Sequence, residues 1–197
     1  MKAIRIHEFG GAEQLRLDDI AKPQPNGDEV LIRTAAAGIN YADTMLRAGK
    51  YLFRPPLPFT LGFEVAGTVE AVGENVGGWQ AGQRVLAMMR GGAYAEYAVA
   101  NAAQVVPIPE GLSFGEATAL LVQGLTACAL LRDLRGGDTV LIHAAAGGVG
   151  SLLVQLAKQR GATVIGTASG ADKLKKSPNL AQTRASTTPS LIGPSRC

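Results

Sequence analysis

The most constraining feature of this sequence is a stretch of small residues, 144–150, that lies between two apolar runs. The run before it, 140–142, is rich in branched aliphatic residues typical of a strand, and the run after it, 152–156, has leucines at helical spacing. Proteins hold the pyrophosphate of a dinucleotide at such a loop, because its missing side chains let phosphates approach the backbone and the start of the following helix. The pattern therefore predicts pyrophosphate contacts at Gly147, Gly148, Val149 and Gly150.

A glycine-rich turn is weak evidence by itself, since such turns join strands and helices in many folds. Here a second β-like run, 162–167, follows the helix at the place where the next parallel strand of a nucleotide-binding sheet would lie. This order of segments favours nucleotide binding over a purely structural turn.

Composition excludes several other classes of protein. Apolar residues make up 47% of the chain, no apolar stretch reaches the length of a membrane span, and the first residues form a β-like run rather than a signal peptide. The formal net charge is only +3, and the few aromatic residues do not alternate with basic ones. We therefore expect a soluble cytoplasmic protein that binds neither nucleic acid nor a membrane.

The cysteines and histidines do not predict a metal site. Cys128 and Cys197 have no Cys or His partner at metal-ligand spacing, and we expect Cys128, in the apolar run 121–131, to be a buried small hydrophobe. His143 ends the strand before the glycine-rich loop, where a residue held by backbone groups is a better expectation than a catalytic base.

Residues 1–112 have the pattern of an irregular β-barrel. Short β-like runs alternate with Gly and Pro, and they cover residues 2–7, 29–35, 64–72, 84–89 and 94–99. At 113–134 the pattern changes to one or two helices, and Ser113 and Glu116 have the spacing of a capping box at their start.

Seven segments follow one another in a distinctive order and spacing: Met1-Lys-Ala-Ile-Arg, Gly38-Ile-Asn-Tyr-Ala-Asp, Leu61-Gly-Phe-Glu-Val-Ala-Gly, Gly82-Gln-Arg-Val, Gly92-Ala-Tyr-Ala-Glu-Tyr, Gln123-Gly-Leu-Thr-Ala and residues 144–150. Together they resemble the medium-chain dehydrogenase/reductase superfamily, and within it the zinc-free quinone oxidoreductase (zeta-crystallin-like) family. The resemblance implies a GroES-like catalytic β domain over residues 1–112. It implies a linker helix and the first part of an incomplete Rossmann doubly wound parallel sheet, of the α/β class, over residues 113–176.

The resemblance also implies a reaction. NADPH would lie in a cleft between the two domains and give a hydride to a small-molecule quinone or activated enone. In the intact family the protein would be a homodimer. Two alternatives stay open at this point: an inactive truncated remnant or binding-only module of that family, and an enoyl-thioester reductase, which shares the cofactor and much of the fold.

Zinc alcohol dehydrogenases share this fold, but they bind the metal through a Cys soon after the glycine equivalent to Gly38 and through the His of a Gly-His-Glu. This sequence has Ile39, Asn40 and Tyr41 at the first place and Phe63 at the second. Without those ligands no Lewis acid is available to polarise an alcohol. We therefore predict no metal, and the reduction of an acceptor that is already electron-poor.

The resemblance implies catalytic-site roles for Asn40 and Tyr51, with Tyr51 at the mouth of the substrate site. It places the nicotinamide end of the cofactor against Asn40, Tyr41, Asp43 and Thr44, and it turns Thr126 toward the cofactor. From the residues alone, Asn40 is equally typical of a turn after Gly38, and Thr126 of an ordinary helix position. Glu64 is equally explained as a residue of the domain fold, and we assign it no site role.

The end of the second nucleotide-domain strand predicts which cofactor is used. NAD-selective Rossmann domains place an acid there to bind the ribose 2′-hydroxyl, whereas this chain has no carboxylate before Asp172. Ser169 and Lys173 lie nearby, and in the family these two positions resemble a clamp for a 2′-phosphate. We predict NADPH, the alternative for Lys173 being a solvated residue of the next helix.

Residues 177–197 do not continue the family pattern, and we expect an irregular tail rich in Pro, Ser and Thr. When the third base of each codon is joined to the first two of the next, residues 180–190 can encode Gly-Ala-Asp-Ala-Gly-Ile-Asp-Tyr-Thr-Glu. This resembles the family's Gly-Ala-Asp…Asp-Tyr segment and suggests a frameshift; the alternatives are a divergent tail and a cloning artefact. A sheet of only two strands would be open, so we expect weak NADPH binding, aggregation and little activity from this chain alone.

Overall fold

A computed structural model of the chain describes residues 1–169, 173 and 184–187. The chain forms two compact units, an N-terminal unit of Met1–Val122 and a C-terminal unit of Gln123–Cys197. The division falls inside a helix, whereas the sequence pattern predicts it before that helix, at residue 112.

Antiparallel strands build the N-terminal unit. Its elements are β1 (Lys2–Ile6), β2 (Arg16–Asp19), β3 (Glu29–Ala37), α1 (Tyr41–Arg47), β4 (Phe59–Thr60), β5 (Glu64–Val72), β6 (Arg84–Met88), β7 (Tyr97–Asn101), β8 (Val105–Pro107) and the start of α2 (Phe114–Leu130). One sheet has the strand order β7-β3-β5-β6-β8 and the other β2-β1-β4. This architecture confirms the β fold predicted for the first domain.

The long pair β3 and β5 carries the core of the N-terminal unit. Val30 and Ile32 of β3 and Val65 and Val69 of β5 are buried in one apolar cluster. The pairing register shifts twice along the two strands, and such irregularities bend and twist a sheet. At Gly67 the strands approach so closely that a Cβ atom would overlap a carbonyl oxygen of β3, which excludes any side chain there.

The C-terminal unit contains the rest of α2, then β9 (Thr139–Ile142), α3 (Gly148–Gln159), β10 (Thr163–Ala168) and β11 (Arg184–Thr187). Its strands are parallel in the order β11-β10-β9. The predicted strand, loop, helix and strand are confirmed. The expectation of a two-stranded sheet is wrong, because β11 pairs with β10. The sequence of β11 lacks the β-branched apolar residues from which a strand is predicted. The other residues of the predicted irregular tail, with Cys197, lie outside the described residues.

Helix α3 covers one face of the parallel sheet. Its residues Val154 and Ala157 are buried against Ile142 and Val164 of the strands. Cys128 of α2 is exposed, so the expectation of a buried cysteine is wrong; none of the described residues covers that side of the helix. Among the described residues, no helix has both the length and the apolar character needed to cross a membrane.

Candidate functional site

The glycine-rich loop joins β9 to α3 through a tight backbone path. Ala144 has a positive φ of 50°, and Ala145 donates its N–H to the carbonyl of Thr167 in β10 at 2.9 Å. A Cβ atom at Gly150 would overlap the carbonyl oxygen of Ala144, so only glycine allows the first turn of α3 to pack on the loop. The requirement for glycine at position 150 is therefore structural.

The outer side of the same loop is open. Gly147 and Gly148 are exposed, and Gly147 precedes α3 without capping it through a side chain. The N–H groups of Gly148, Val149 and Gly150 begin the helix and therefore have no carbonyl partner within it. Gly148 is exposed, Val149 is half-buried and Gly150 is buried. Backbone donors at the positive end of a helix dipole suit a phosphate, so this helix start fits a dinucleotide pyrophosphate at its exposed residues.

The end of β10 holds the two residues predicted to bind a 2′-phosphate. Lys173 donates from Nζ to Oγ of Ser169 at 3.1 Å, and both side chains are exposed. An ammonium group and a hydroxyl held together are suited to a phosphate. His143, at the end of β9, pairs through Nδ1 with the hydroxyl of Thr167 at 3.0 Å rather than with the backbone groups expected from the sequence.

Helix α2 passes beside the loop within the C-terminal unit. A Cβ atom at Gly148 would lie 3.2 Å from Cγ of Gln123, so the side chain of Gln123 borders the exposed glycines. Thr126, predicted to face the cofactor, lies three residues further along α2 and is exposed. Its role stays a prediction.

In the N-terminal unit, Asn40 is held by a buried network. It precedes α1 and forms a capping box with Asp43, whose Oδ2 accepts the Asn40 N–H at 2.8 Å. Its side-chain Nδ2 donates to Oε1 of Glu64, also at 2.8 Å. These bonds orient the amide of a residue that is only 7% exposed.

Glu64 is the central residue of this network, although its place in the sequence predicts no site role. Its carboxylate is fully buried, and Oε2 accepts the backbone N–H of Val122 in α2 at 3.0 Å. Gly38 provides the space, because a Cβ atom there would overlap Oε1. Burial raises the pKa of Glu64 above its usual value, opposed by the hydrogen bonds from Val122 and Asn40 and helped by the charge of Asp43.

A second buried carboxyl group extends the network. Burial raises the pKa of Asp43, although its bond to the Asn40 N–H works in the other direction. The Asp43 Oδ1 and the hydroxyl of Tyr94 are both buried and interact electrostatically, outside strict hydrogen-bond geometry. Burial and then the Asp43 charge raise the pKa of Tyr94, so its hydroxyl stays protonated.

The network lies next to a cavity of about 500 Å³ in the N-terminal unit. The cavity has mostly apolar and aromatic walls, and its lining residues are Asn40, Ala42, Tyr51, Leu52, Phe53, Phe63, Met88, Met89, Arg90, Gln104 and Val122. The ring of Tyr51 contacts those of Phe53 and Phe63, with centroid distances of 5.6 Å in both pairs.

The structure brings the two predicted catalytic residues, Asn40 and Tyr51, to this one cavity. Tyr41 and Thr44 are exposed on α1 and do not line it, while Asp43 is buried. The sequence does not predict a site role for the carboxylate of Glu64, because an acid at the start of an apolar strand has no distinctive spacing. Gly38 and Glu64 are also far apart along the chain, so the sequence does not indicate that they are in contact. Within the part of the chain that the structure describes, no three His, Cys, Asp or Glu side chains form a group that could hold a metal.

The sequence and the fold of this chain are similar to those of known oxidoreductases. Residues 26–110 match the model of the alcohol dehydrogenase GroES-like domain. The chain is 42% identical over 181 residues to the quinone oxidoreductase of Mus musculus, covering 89% of this chain and 54% of the mouse protein. It is 44% identical over 179 residues to the quinone oxidoreductase of Pseudomonas aeruginosa, covering 88% and 54% respectively.

A solved structure of Escherichia coli quinone oxidoreductase in complex with NADPH matches the fold with a TM-score of 0.89 and 36% identity, over 95% of this chain and 58% of that one. The chain spans about half the length of the curated relatives described above. Over that length, sequence, domain type and fold agree. Over its own length the chain is therefore similar in sequence and fold to quinone oxidoreductases, and residues 26–110 are similar to the alcohol dehydrogenase GroES-like domain.

Proposed function

We propose that this chain binds NADPH at residues 144–150 and serves the transfer of a hydride to a quinone or activated enone without a metal. The observation that carries the proposal is the pair of exposed glycines, Gly147 and Gly148, at the uncapped start of α3, in a chain similar to an enzyme that is solved with NADPH. NADPH, when bound, supplies the hydride. The chain binds and orients NADPH and selects for its 2′-phosphate.

The C-terminal unit contributes the phosphate contacts. The backbone donors of Gly148, Val149 and Gly150 face a pyrophosphate, and Ser169 with Lys173 binds the 2′-phosphate. No acidic residue lies between Thr163 and Ser169, so nothing in that segment repels a second anionic group. The charge pattern therefore favours NADPH over NADH.

The N-terminal unit contributes the acceptor site. The aromatic rings of Tyr51, Phe53 and Phe63 suit a planar ring system, because such rings pack well against one another. The amide of Asn40 is a hydrogen-bonding group for an acceptor carbonyl, and Glu64 fixes its orientation. Ile39, Asn40 and Tyr41 stand at one place, and Phe63 at the other, where zinc alcohol dehydrogenases have their Cys and His ligands. None of these residues is the Cys or His that binds zinc, so polarisation of the acceptor depends on hydrogen bonds.

Titration of the purified chain with NADPH, followed by NADPH fluorescence, tests the cofactor site. We expect a Kd on the order of 100 µM, since the donors are few and partly solvated. Gly147→Val places a branched side chain over the donors and should abolish binding. The control is Gly77→Val in the N-terminal unit, where a Cβ atom meets nothing within 4 Å. Equal binding by the wild type and Gly147→Val would refute the proposed site.

A panel of quinones and enoyl thioesters, with NADPH oxidation as the readout, tests the reaction. Oxidation by quinones supports the proposal, oxidation by enoyl thioesters alone identifies an enoyl-thioester reductase, and binding without turnover identifies a binding-only module. The cytoplasmic location and the homodimer of the intact family stay predictions.

A further inference from the structure

Among the described residues that line the cavity of the N-terminal unit, Arg90 is the only charged one. It is exposed, and it forms no hydrogen bond or ion pair with any residue that the structure describes. The other lining residues are apolar, aromatic or amide-bearing. The cavity therefore combines walls for a ring system with one guanidinium group that forms no ion pair with a carboxylate of the described residues.

The backbone on both sides of Arg90 is fixed. Met89 is buried and donates its N–H to the carbonyl of Phe63 at 2.8 Å, and Gly92 donates to the carbonyl of Thr60 at 2.8 Å. Gly91, with a φ of 156°, packs so closely on Phe59 that a Cβ atom would overlap the ring. The arginine thus extends from an anchored turn, so a ligand that binds its side chain does not also have to order the backbone.

We propose that Arg90 binds an anionic substituent of the acceptor, so that the cavity prefers a planar aromatic ketone or quinone bearing a carboxylate, sulfonate or phosphate. This inference rests on the proposed function, because it assigns the acceptor to this cavity. A guanidinium group binds such oxyanions through two parallel hydrogen bonds, and its planar shape also stacks on aromatic rings.

The other charges around the cavity are consistent with this placement. Two buried carboxyl groups, Glu64 and Asp43, bond to Asn40 and disfavour an anion at that side chain. The anionic substituent is therefore directed to Arg90, and the neutral carbonyl of the acceptor to Asn40. Gln104 also lines the cavity, and its side-chain amide can donate a hydrogen bond to an oxygen of the anionic substituent or to the carbonyl oxygen of the acceptor.

Two anthraquinones test the proposal: anthraquinone-2-sulfonate, which is anionic, and 2-(hydroxymethyl)anthraquinone, which is neutral. Both have the same ring system and cannot add to the cysteines. Equilibrium dialysis of the full chain should give about fivefold tighter binding of the sulfonate at low salt, a preference that about 0.5 M NaCl reduces. Arg90→Gln should remove the preference and leave binding of the neutral compound unchanged, while Arg90→Lys should retain part of it.

The matched control is Arg16→Gln, which removes the same charge from an exposed position of β2 that does not line the cavity. It should leave the preference intact. Equal affinity of the wild type for both compounds, or an equal loss of preference in the two glutamine variants, would overturn the role of Arg90. Failure of both anthraquinones to bind would overturn the proposed acceptor site, and this inference with it.

Discussion

The starts of α1, α2 and α3 differ in a way that separates the two units. In the N-terminal unit, Asn40 and Asp43 cap α1, and Ser113 and Glu116 cap α2 through three hydrogen bonds. In the C-terminal unit, α3 begins at an exposed glycine with no side-chain cap. Side chains thus satisfy the first donors of α1 and α2, whereas those of α3 remain available to a ligand.

Polar groups follow the same division. The N-terminal unit buries Glu64 and Asp43 in a network of its own side chains, so its polar groups specify one arrangement beside the cavity. The C-terminal unit displays Ser169 and Lys173 on its surface. The difference teaches that the protein's own side chains preorganise the proposed acceptor site, whereas the proposed cofactor site leaves polar groups for the cofactor to bind.

Removal of the buried carboxylate should give the largest effect. Glu64→Ala removes the buried hydrogen bonds from Val122 and Asn40 to the carboxylate and opens a space among packed atoms, so we expect a loss of about 4 kcal/mol in the free energy of unfolding. Urea denaturation followed by the fluorescence of Trp79 measures it, since this is the only tryptophan and it packs against the core of the N-terminal unit. A loss below about 1 kcal/mol would show that the network is dispensable.

The pH dependence of stability separates the charge of Glu64 from its shape. Burial raises its folded-state pKa above the usual value of 4.5, so the folded state binds the proton more tightly than the unfolded state. The free energy of unfolding should therefore fall as the pH rises from 4.5 through the folded pKa. Glu64→Gln should flatten this fall, although Asp43 keeps a smaller one, and the exposed Glu74→Gln should not. Equal slopes in both variants would contradict the prediction.

Alanine substitutions at two glycines, one in each unit, compare how tightly the two units are packed. At Gly67 and Gly150 an added Cβ atom would overlap a backbone carbonyl oxygen, so alanine at either position should cost about 3 kcal/mol. Gly67→Ala should lower the midpoint of the Trp79 transition, while Gly150→Ala should leave it unchanged and increase hydrogen exchange in α3. A shift of the Trp79 midpoint in both variants would show that the units unfold as one.

The exposed clamp at the end of β10 should have an intermediate effect. Lys173→Gln removes the charge that we propose binds a 2′-phosphate, so we expect the Kd for NADPH to rise about tenfold and that for NADH to stay the same. The control is Arg135→Gln, which removes one positive charge before β9, away from the carboxyl ends of the strands. Equal effects on both cofactors would contradict the assignment of the clamp.

The helix caps should give the smallest effects. Ser113→Ala should lower the free energy of unfolding by about 1 kcal/mol, because the donor at Glu116 loses its cap. Gly147→Ser supplies a cap to α3 and should change the stability by only a few tenths of a kcal/mol. Thermal unfolding measures both, and a large loss in Gly147→Ser would show that the start of α3 does not tolerate a side chain.

The sequence predicts those parts of the fold whose signal is local. Strand β5 matches the predicted run 64–72, and the capping box of α2 is confirmed. Strand β3 extends two residues beyond its predicted end, because Ala36 and Ala37 have weak β propensity but pair with β5. Strand β7 begins at Tyr97 rather than Tyr94, because Tyr94 and Glu96 donate their N–H groups to other segments.

In the candidate site, too, the sequence predicts the residues that lie close together along the chain and not the contacts between distant segments. The loop 144–150 and the pair Ser169 and Lys173 each lie within a short segment. The small-residue motif indicates the loop, and the missing acid at the end of β10, together with the family resemblance, indicates the pair. The contact of Glu64 with Asn40 and Val122 joins three distant segments, and the sequence contains no trace of it. The exposure of Cys128 likewise depends on which residues cover α2, not on its apolar neighbours.

The missing side chain at Gly38 has a consequence for how this protein can change over time. Since residue 38 and the carboxylate of Glu64 occupy adjoining space, a methyl group at position 38 is tolerable only when residue 64 is shorter. A shorter residue would in turn release Asn40 and α2. Residues 38 and 64 must therefore be substituted together, which opposes evolution by single substitutions. In a library of variants made by mutagenesis, these two positions should be kept constant.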